Sequence, residues 1–254
     1  MLPIKDIENL VKKEKENTES IIHDFGHLKR TALGAKWFVR VLGGSKEEED
    51  LAYIAGLLHD IVRPNTEKIC HAEASAKRSR EILEYFRIDP EIIERIVLAV
   101  KDHRKPVEWR DPLHQSVFLA DKIFEQMGAY VIFRRAYYIG ECVDFAEKPF
   151  RESIIEHFRK RLEKFRPEVF PERFRKLVDY QYNWVTGFFD SFQNGKEWSI
   201  RLARFCFDVG RTHSMLLEEC IKRYEPYEQH GEKIKEETVK YLEGKKFREF
   251  EEMV

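Results

Sequence analysis

The stretch Ala55-Gly56-Leu57-Leu58-His59-Asp60 constrains this chain more than any other. An apolar run at helical period ends there in two adjacent ionisable groups. Burying both is costly unless something compensates. A divalent metal is a common compensator, because neutral imidazole and ionised carboxylate are both ligands of first-row metals. The chain carries further donors of these types, His27 upstream and Asp121 downstream. So widely spaced, the four residues cannot form a local finger-type site. Only a helix bundle, with side chains converging from facing helices, could gather them.

The rest of the chain has the period such a bundle needs. Pro3 to Glu16 reads as a short amphipathic helix with Ile4, Ile7, Leu10 and Val11 on one face. Asn17-Thr18-Glu19-Ser20 is a polar break that supplies caps for a long helix, Ile21 to Leu42, stopped by Gly43-Gly44. His23 and His27 share a face of it. Ser45, followed by Glu47, Glu48 and Glu49, is an N-cap with an acidic first turn. That helix runs to His59-Asp60 and ends near Arg63-Pro64. Glu67 to Phe86 is the next, with His71 in its first turns. Asp89-Pro90 opens another that ends around Asp102-His103. Pro112 opens a helix through Asp121 and Lys122 to about Met127. Gly128 interrupts the pattern, which resumes to Cys142. From Pro149 onward the period is again helical, punctuated at Pro167, Pro171, Gly195, Gly210, Pro226 and Gly244. No alternating apolar-polar run marks a strand. The expected fold class is all-α, a helical bundle with additional C-terminal helices.

Composition excludes some functions. Charged residues make up 36% of the 254, but both signs are interspersed and the formal net charge is -1. That balance argues against a broad electrostatic footprint for nucleic acid. Arg159-Lys160-Arg161 and Arg173-Phe174-Arg175-Lys176 are nearly cancelled by nearby acids and read as solvated helix faces. The four cysteines form no CxxC pair, which points to free thiols in a reducing cytoplasm. Met1 to Lys15 is charged throughout and lacks the apolar core of a signal peptide. No apolar run reaches the roughly 18 residues of a membrane span.

The order His27, His59-Asp60, Asp121 resembles the HD superfamily of metal-dependent phosphohydrolases. His23-Asp24-Phe25-Gly26-His27-Leu28-Lys29-Arg30 is similar to the family's HDxxHxxR opening, in which the second histidine is the ligand. Ala55 to Asp60 resembles its buried A-x-L-L-H-D turn, and Val117 to Lys122 its closing ADK segment. Gly128 to Arg135 resembles the GAxGIxR tail of the YedJ/YpgQ type. The sequence departs from that type at Leu119, Phe124 and Ile61-Val62-Arg63-Pro64. The resemblance covers about residues 20 to 140. It divides the chain into an HD domain over 1–147 and a C-terminal helical extension over 148–254.

The resemblance implies hydrolysis of a phosphate ester or anhydride, with a nucleotide or related small molecule as substrate. His27, His59, Asp60 and Asp121 are the expected ligands of a divalent transition metal. Two imidazoles and two carboxylates suit Mn, Fe, Co, Ni or Zn better than Mg or Ca. In some HD proteins two intermediate histidines hold a second ion, bridged by the aspartate of the His-Asp pair; His71 and His103 fall in the right order for that. With one ion, they would instead contact phosphate or shuttle protons. Glu73, two residues past His71, is a candidate general base. Arg30, Arg63, Arg104 and Lys122 lie near the proposed ligands and are candidates to hold the substrate's phosphates. The alternative is a non-catalytic, metal-containing helical sensor or scaffold.

The remaining features have plainer readings. His23 suits a surface or supporting place, and Asp24 is placed to orient His27. His114, His157, His213 and His230 have no partner motif and read as structural. Trp184, Phe188, Phe189 and Phe192 recur at helical spacing, as do Trp198, Leu202 and Phe205, with a turn expected at Asn194-Gly195. These helices serve as core, as a lid over the site or as a homo-oligomer contact.

Overall fold

A computed structural model of the chain describes residues 2–16, 23–63 and 70–254. Among the described residues the secondary structure is entirely helical. The polar break at 17–20, the expected helix start at Ile21 and the segment 64–69 lie outside the described residues. The chain divides into two compact units, residues 1–125 and 126–254.

The first unit holds α1 (Ile4–Lys15), α2 (Phe25–Val41), α3 (Lys46–Leu58), α4 (His71–Tyr85), α5 (Pro90–Asp102) and α6 (Pro112–Leu119). Side-chain caps set four of the starts. Asp24 accepts from the His27 backbone N–H at 2.9 Å, so α2 begins at Phe25 and His23 precedes the helix rather than sharing its face. Ser45 and Glu48 form a reciprocal capping box on α3. Asp89 and Asp111 cap α5 and α6, each followed by a proline whose missing N–H costs nothing there.

The expected continuous helix from Pro112 to Met127 is instead two pieces. After α6 the hydrogen-bond ladder widens into one π-helical turn, Ala120–Phe124. The turn is anchored by Phe124, which stacks on Phe38 of α2 at 5.0 Å and meets Trp37 edge-on. Helices α2 and α3 cross tightly at Gly56. A methyl group on Gly56 would lie 2.5 Å from the Ala32 Cα, so only glycine permits this approach. That crossing brings the N-terminal end of α2 beside the C-terminal end of α3.

The second unit contains α7 (Ala129–Glu141), α8 (Phe150–Lys164), α9 (Arg175–Gln193), α10 (Glu197–Thr212), α11 (Leu217–Arg223), α12 (Glu228–Leu242) and α13 (Lys246–Glu251). Helix α7 packs chiefly on α10. Gly140 and Gly210 face each other's helices there, each 2.1 Å from a carbonyl oxygen if given a Cβ. The division at Glu125/Gln126 therefore groups Ala129–Glu141 with the helices that follow it. The turn between α9 and α10 falls at Asn194-Gly195, with Gly195 at φ 72°. Phe188, Phe192, Trp198 and Leu202 are buried as expected, whereas Trp184 and Phe205 are half-buried. All four cysteines are free. No helix among the described residues is long and apolar enough to cross a membrane.

Candidate metal centre

The ends of helices deliver the site. His59 follows the last residue of α3 and His103 the last of α5. A helix leaves its final carbonyls without intrahelical partners. Both imidazoles use one: His59 Nδ1 donates to the Gly56 carbonyl at 2.8 Å, and His103 Nδ1 to the Val100 carbonyl at 2.6 Å. Only a protonated nitrogen can face a carbonyl oxygen, so each ring presents Nε2 as a bare acceptor. His27, in the first turn of α2, reaches the same state with another partner. Its Nδ1 lies 2.9 Å from Glu125 Oε2. Glu125 is completely buried and accepts from Arg30 Nε at 3.0 Å.

These acceptors converge on Asp60. Its Oδ2 lies 3.8 Å from His27 Nε2, 3.7 Å from His59 Nε2 and 3.5 Å from Arg63 Nη1. Its Oδ1 lies 3.6 Å from both His71 Nε2 and His103 Nε2. Asp121, from the π-helical turn, places Oδ1 4.0 Å from His27 Nε2, and Lys122 holds its other oxygen. The rings of His27, His59 and His103 follow one another at 5.0 Å, and His71 stands 5.5 Å beyond His103.

Such separations are too long for hydrogen bonds. They suit an ion: ligand bonds of about 2.0–2.2 Å hold two donors on one ion about 3–4 Å apart. Among the described residues, His27 Nε2, His59 Nε2 and Asp60 Oδ1 are buried with no hydrogen-bond partner. Orphaned acceptors in an apolar interior are costly, and bound cations would satisfy them. Two groups could each hold a metal ion, His27 with His59 and Asp121, and His59 with Asp60 and His103.

Protonation states agree with that use. Burial pushes His59 and His71 down to about 4 and His103 to about 3, so the rings are neutral near pH 7. Burial opposes charge on Asp60, but Arg63, followed by His59 and His27, holds its carboxyl well below the usual carboxylate range. Lys122 does the same for Asp121 against its own burial. Neutral imidazoles and ionised carboxylates are the forms a metal binds.

Residues 24–126 match the family model described as HD domain. The match covers less than half of the chain. It runs from the α2 cap to just past Glu125 and includes all four residues of the His, His-Asp, Asp order. Neither a curated protein nor a solved structure matches the chain. HD domains are in general those of metal-dependent hydrolases, and they bind divalent metals.

Other candidate residues of the matched segment lie at varying distance from Asp60. Arg63 bridges from it to His23, whose Nε2 accepts from Arg63 Nη2. Arg30 is turned onto Glu125, and Lys122 onto Asp121. Arg104 is exposed and donates to the Cys70 thiol at 3.3 Å. Glu73 is exposed on α4. His114 is tied to Asp102 at 2.9 Å and accepts from the Arg110 N–H, a loop-fixing place apart from the metal centre. Two buried residues escape sequence reasoning. Glu125 had a faint signal, its i+4 spacing from Asp121. Lys15 had one too, since it continues the buried face Ile7, Val11 of α1.

Proposed function

We propose that the HD segment hydrolyses a phosphate ester or anhydride of the nucleotide class, in the manner of the YedJ/YpgQ type. His27, His59, Asp60 and Asp121 would hold one divalent transition metal, with manganese a candidate. His71 and His103 would hold a second, sharing Asp60. The observation that carries the reading is the division of the Asp60 carboxylate, Oδ2 toward His27 and His59 and Oδ1 toward His71 and His103. A carboxylate so placed can bridge two ions. Bound metal supplies Lewis acidity toward a phosphoryl oxygen and a water of lowered pKa.

The protein's own contribution is orientation. The Gly56 and Val100 carbonyls and the Glu125 carboxylate fix three imidazoles in one tautomer, so no ring must turn when metal or substrate arrives. Arg63 is half-exposed beside Asp60 and is the cation best placed to meet a phosphate. His71, less buried than His103, is the histidine from which a proton could reach a leaving group. The free thiols accord with a cytoplasmic setting.

The test is metal content of purified wild type beside Asp60→Ala, followed by a Mn-supplemented screen of nucleoside mono-, di- and triphosphates. Metal near stoichiometric in wild type and lost in the variant, with Asp60-dependent hydrolysis, is the expected result. Pyrophosphate released from a triphosphate would make the enzyme a pyrophosphohydrolase; phosphate from a monophosphate, a nucleotidase. Absence of metal from a folded, metal-replete sample would overturn the site. Metal without turnover would favour a sensor or scaffold.

A further inference from the structure

Arg63 stands just beyond the end of α3, where no helical ladder fixes it. The chain before it is pinned all the same. Val62 donates its N–H to the Ser75 hydroxyl of α4 at 3.2 Å, and that hydroxyl donates to the Val62 carbonyl at 3.1 Å. Ser75 and Ile61 are both buried. With the backbone set, the direction of the Arg63 guanidinium depends on what it meets. A long side chain loses rotamer freedom when it keeps one direction, so something must hold it there.

Among the described residues the guanidinium meets two groups. Nη1 lies 3.5 Å from Asp60 Oδ2, and Nη2 donates to His23 Nε2. A closed guanidinium–carboxylate bond measures about 2.7–2.9 Å, so Asp60 attracts the fork without fastening it. The same Asp60 oxygen also faces His27 and His59. The fastening contact is His23. It is buried, and its ring stands edge-on to that of His27, 5.7 Å away at 81°. Asp24 caps α2 directly after it, so the turn that places His27 also places His23. Arginine has no acceptor, so His23 Nε2 must accept and the ring proton sits on Nδ1. His23 is therefore a neutral partner. The contrast is with Arg30 and Lys122, whose charges are met by the Glu125 and Asp121 carboxylates. A neutral imidazole orients the guanidinium and leaves its charge available to an anion. A second carboxylate in that place would cancel it.

We propose that His23 is a positioning residue of this site, one that holds the Arg63 guanidinium beside Asp60, charge intact, to receive a phosphoryl group. The inference deepens the phosphohydrolase reading above and rests on it. Arg63 makes the contact with the phosphoryl oxygens, for which its planar fork is suited. His23 acts through Arg63 alone.

The experiment uses full-length protein loaded with manganese and freed of excess metal. Orthophosphate is titrated calorimetrically into wild type, Arg63→Ala, His23→Phe, His23→Gln and the double variant of Arg63→Ala with His23→Phe. Metal content and Tm are measured alongside. His23→Phe keeps a ring against His27 but has no acceptor, and His23→Gln restores one as an amide oxygen. Where His23→Phe does not fold, His23→Ala takes its place. Metal content should be unchanged throughout. Orthophosphate affinity should fall about tenfold or more in Arg63→Ala and about fivefold in His23→Phe, and His23→Gln should recover most of the second loss. The double variant should bind no more weakly than Arg63→Ala, because His23 then has nothing to hold. Wild-type affinity in His23→Phe, or losses that multiply in the double variant, overturn the proposal and leave the phosphohydrolase reading standing. Metal lost from both His23 variants overturns it too, by making His23 a support of the metal ligands. Wild-type affinity in Arg63→Ala removes Arg63 from the phosphate, and the proposal with it. Wild-type protein that binds manganese but no orthophosphate overturns the phosphohydrolase reading itself.

Discussion

Lys15 of the first unit and Lys246 of the second are both buried, and the two are treated oppositely. In the second unit Lys246, 2% exposed, has Glu237 at 3.0 Å, the Tyr180 hydroxyl at 3.1 Å and Glu249 in contact. Burial alone would lower its pKa, but Glu249, Tyr180 and Glu237 together raise it. In the first unit Lys15 has no such shell, and its pKa falls to about 8. The orphaned atoms differ in the same way. His27 Nε2, His59 Nε2 and Asp60 Oδ1 lie on the two sides of the Asp60 carboxylate, within the two groups that could hold metal. In the second unit His157 Nε2 and the Tyr224 hydroxyl also lack partners. They sit in separate aromatic clusters, His157 with Tyr138 and Phe145, and Tyr224 with Phe133 and Phe205. Both metal-capable groups among the described residues belong to the first unit. Unmet polar demand that converges is what a ligand site looks like before its ligand; scattered demand is a packing cost.

The largest effect should come from breaking the convergence. Asp60→Ala removes the carboxylate that both sets of histidines face. Hydrolysis should fall by on the order of a thousandfold or more, and bound metal should be lost from dialysed protein. Helical content by circular dichroism should stay near wild type, because the substitution also relieves burial of a charge. Retention of full metal and activity would mean that the histidines converge for another reason.

Next is the support beneath His27. In Glu125→Ala the imidazole loses the carboxylate at 2.9 Å that fixes its tautomer, and metal affinity should drop about 10–100-fold. Arg30 loses the buried carboxylate at 3.0 Å in the same step, so stability should fall by about 3 kcal/mol in urea titrations. Glu125→Gln keeps a neutral acceptor and should recover part of both losses. Equal metal affinity in all three proteins would remove Glu125 from the site.

How much of this was legible in the sequence follows from what each signal requires. Helix starts at Ser45, Asp89-Pro90 and Pro112 could be read because a cap is local chemistry. The His27, His59, Asp60, Asp121 set could be read because an ionisable pair ending an apolar run needs compensation wherever it folds. Glu125 was hidden. A glutamate after Ile123-Phe124 reads as the polar edge of a helix, and only the π-helical turn and the Phe124–Phe38 stack carry it into the core. Lys15 was hidden for the same reason, as the last position of an apolar face normally meets water. Among the described residues α2 begins at Phe25 and leaves His23 outside it, because Asp24 acts as its cap. Helix α7 resembles a tail of the HD motif, yet it packs on α10 through Gly140 and Gly210, a tertiary contact without a local sequence mark.

The two lysines give the third test. Lys246→Met should destabilise by about 1–3 kcal/mol, since Glu237 and Tyr180 lose a charged donor. Lys15→Met should stabilise, by a smaller amount. Opposite signs in urea midpoints would confirm that one lysine is structural and the other is retained against stability. The same sign in both would erase the distinction between the units.

The smallest effect concerns acid. Burial first, then Arg161, Arg135 and Lys160, pushes His157 down to about 2, and the rings facing it are Tyr138, Phe145 and Phe158. In the unfolded chain the same imidazole titrates near 6.5. Between those values the unfolded state binds a proton that the folded state refuses, so His157 withdraws stability progressively as pH falls below about 6.5. His59, His71 and His103 act with the same sign in the first unit. There, bound metal competes with the proton, so loading should steepen the acid loss. His157→Phe keeps an aromatic ring and cannot take a proton. Its Tm should fall less than that of wild type between pH 7 and pH 5, by the same margin with and without metal. A margin that vanishes on loading would tie His157 to the metal centre, and no margin at all would mean that its ring accepts a proton inside the fold.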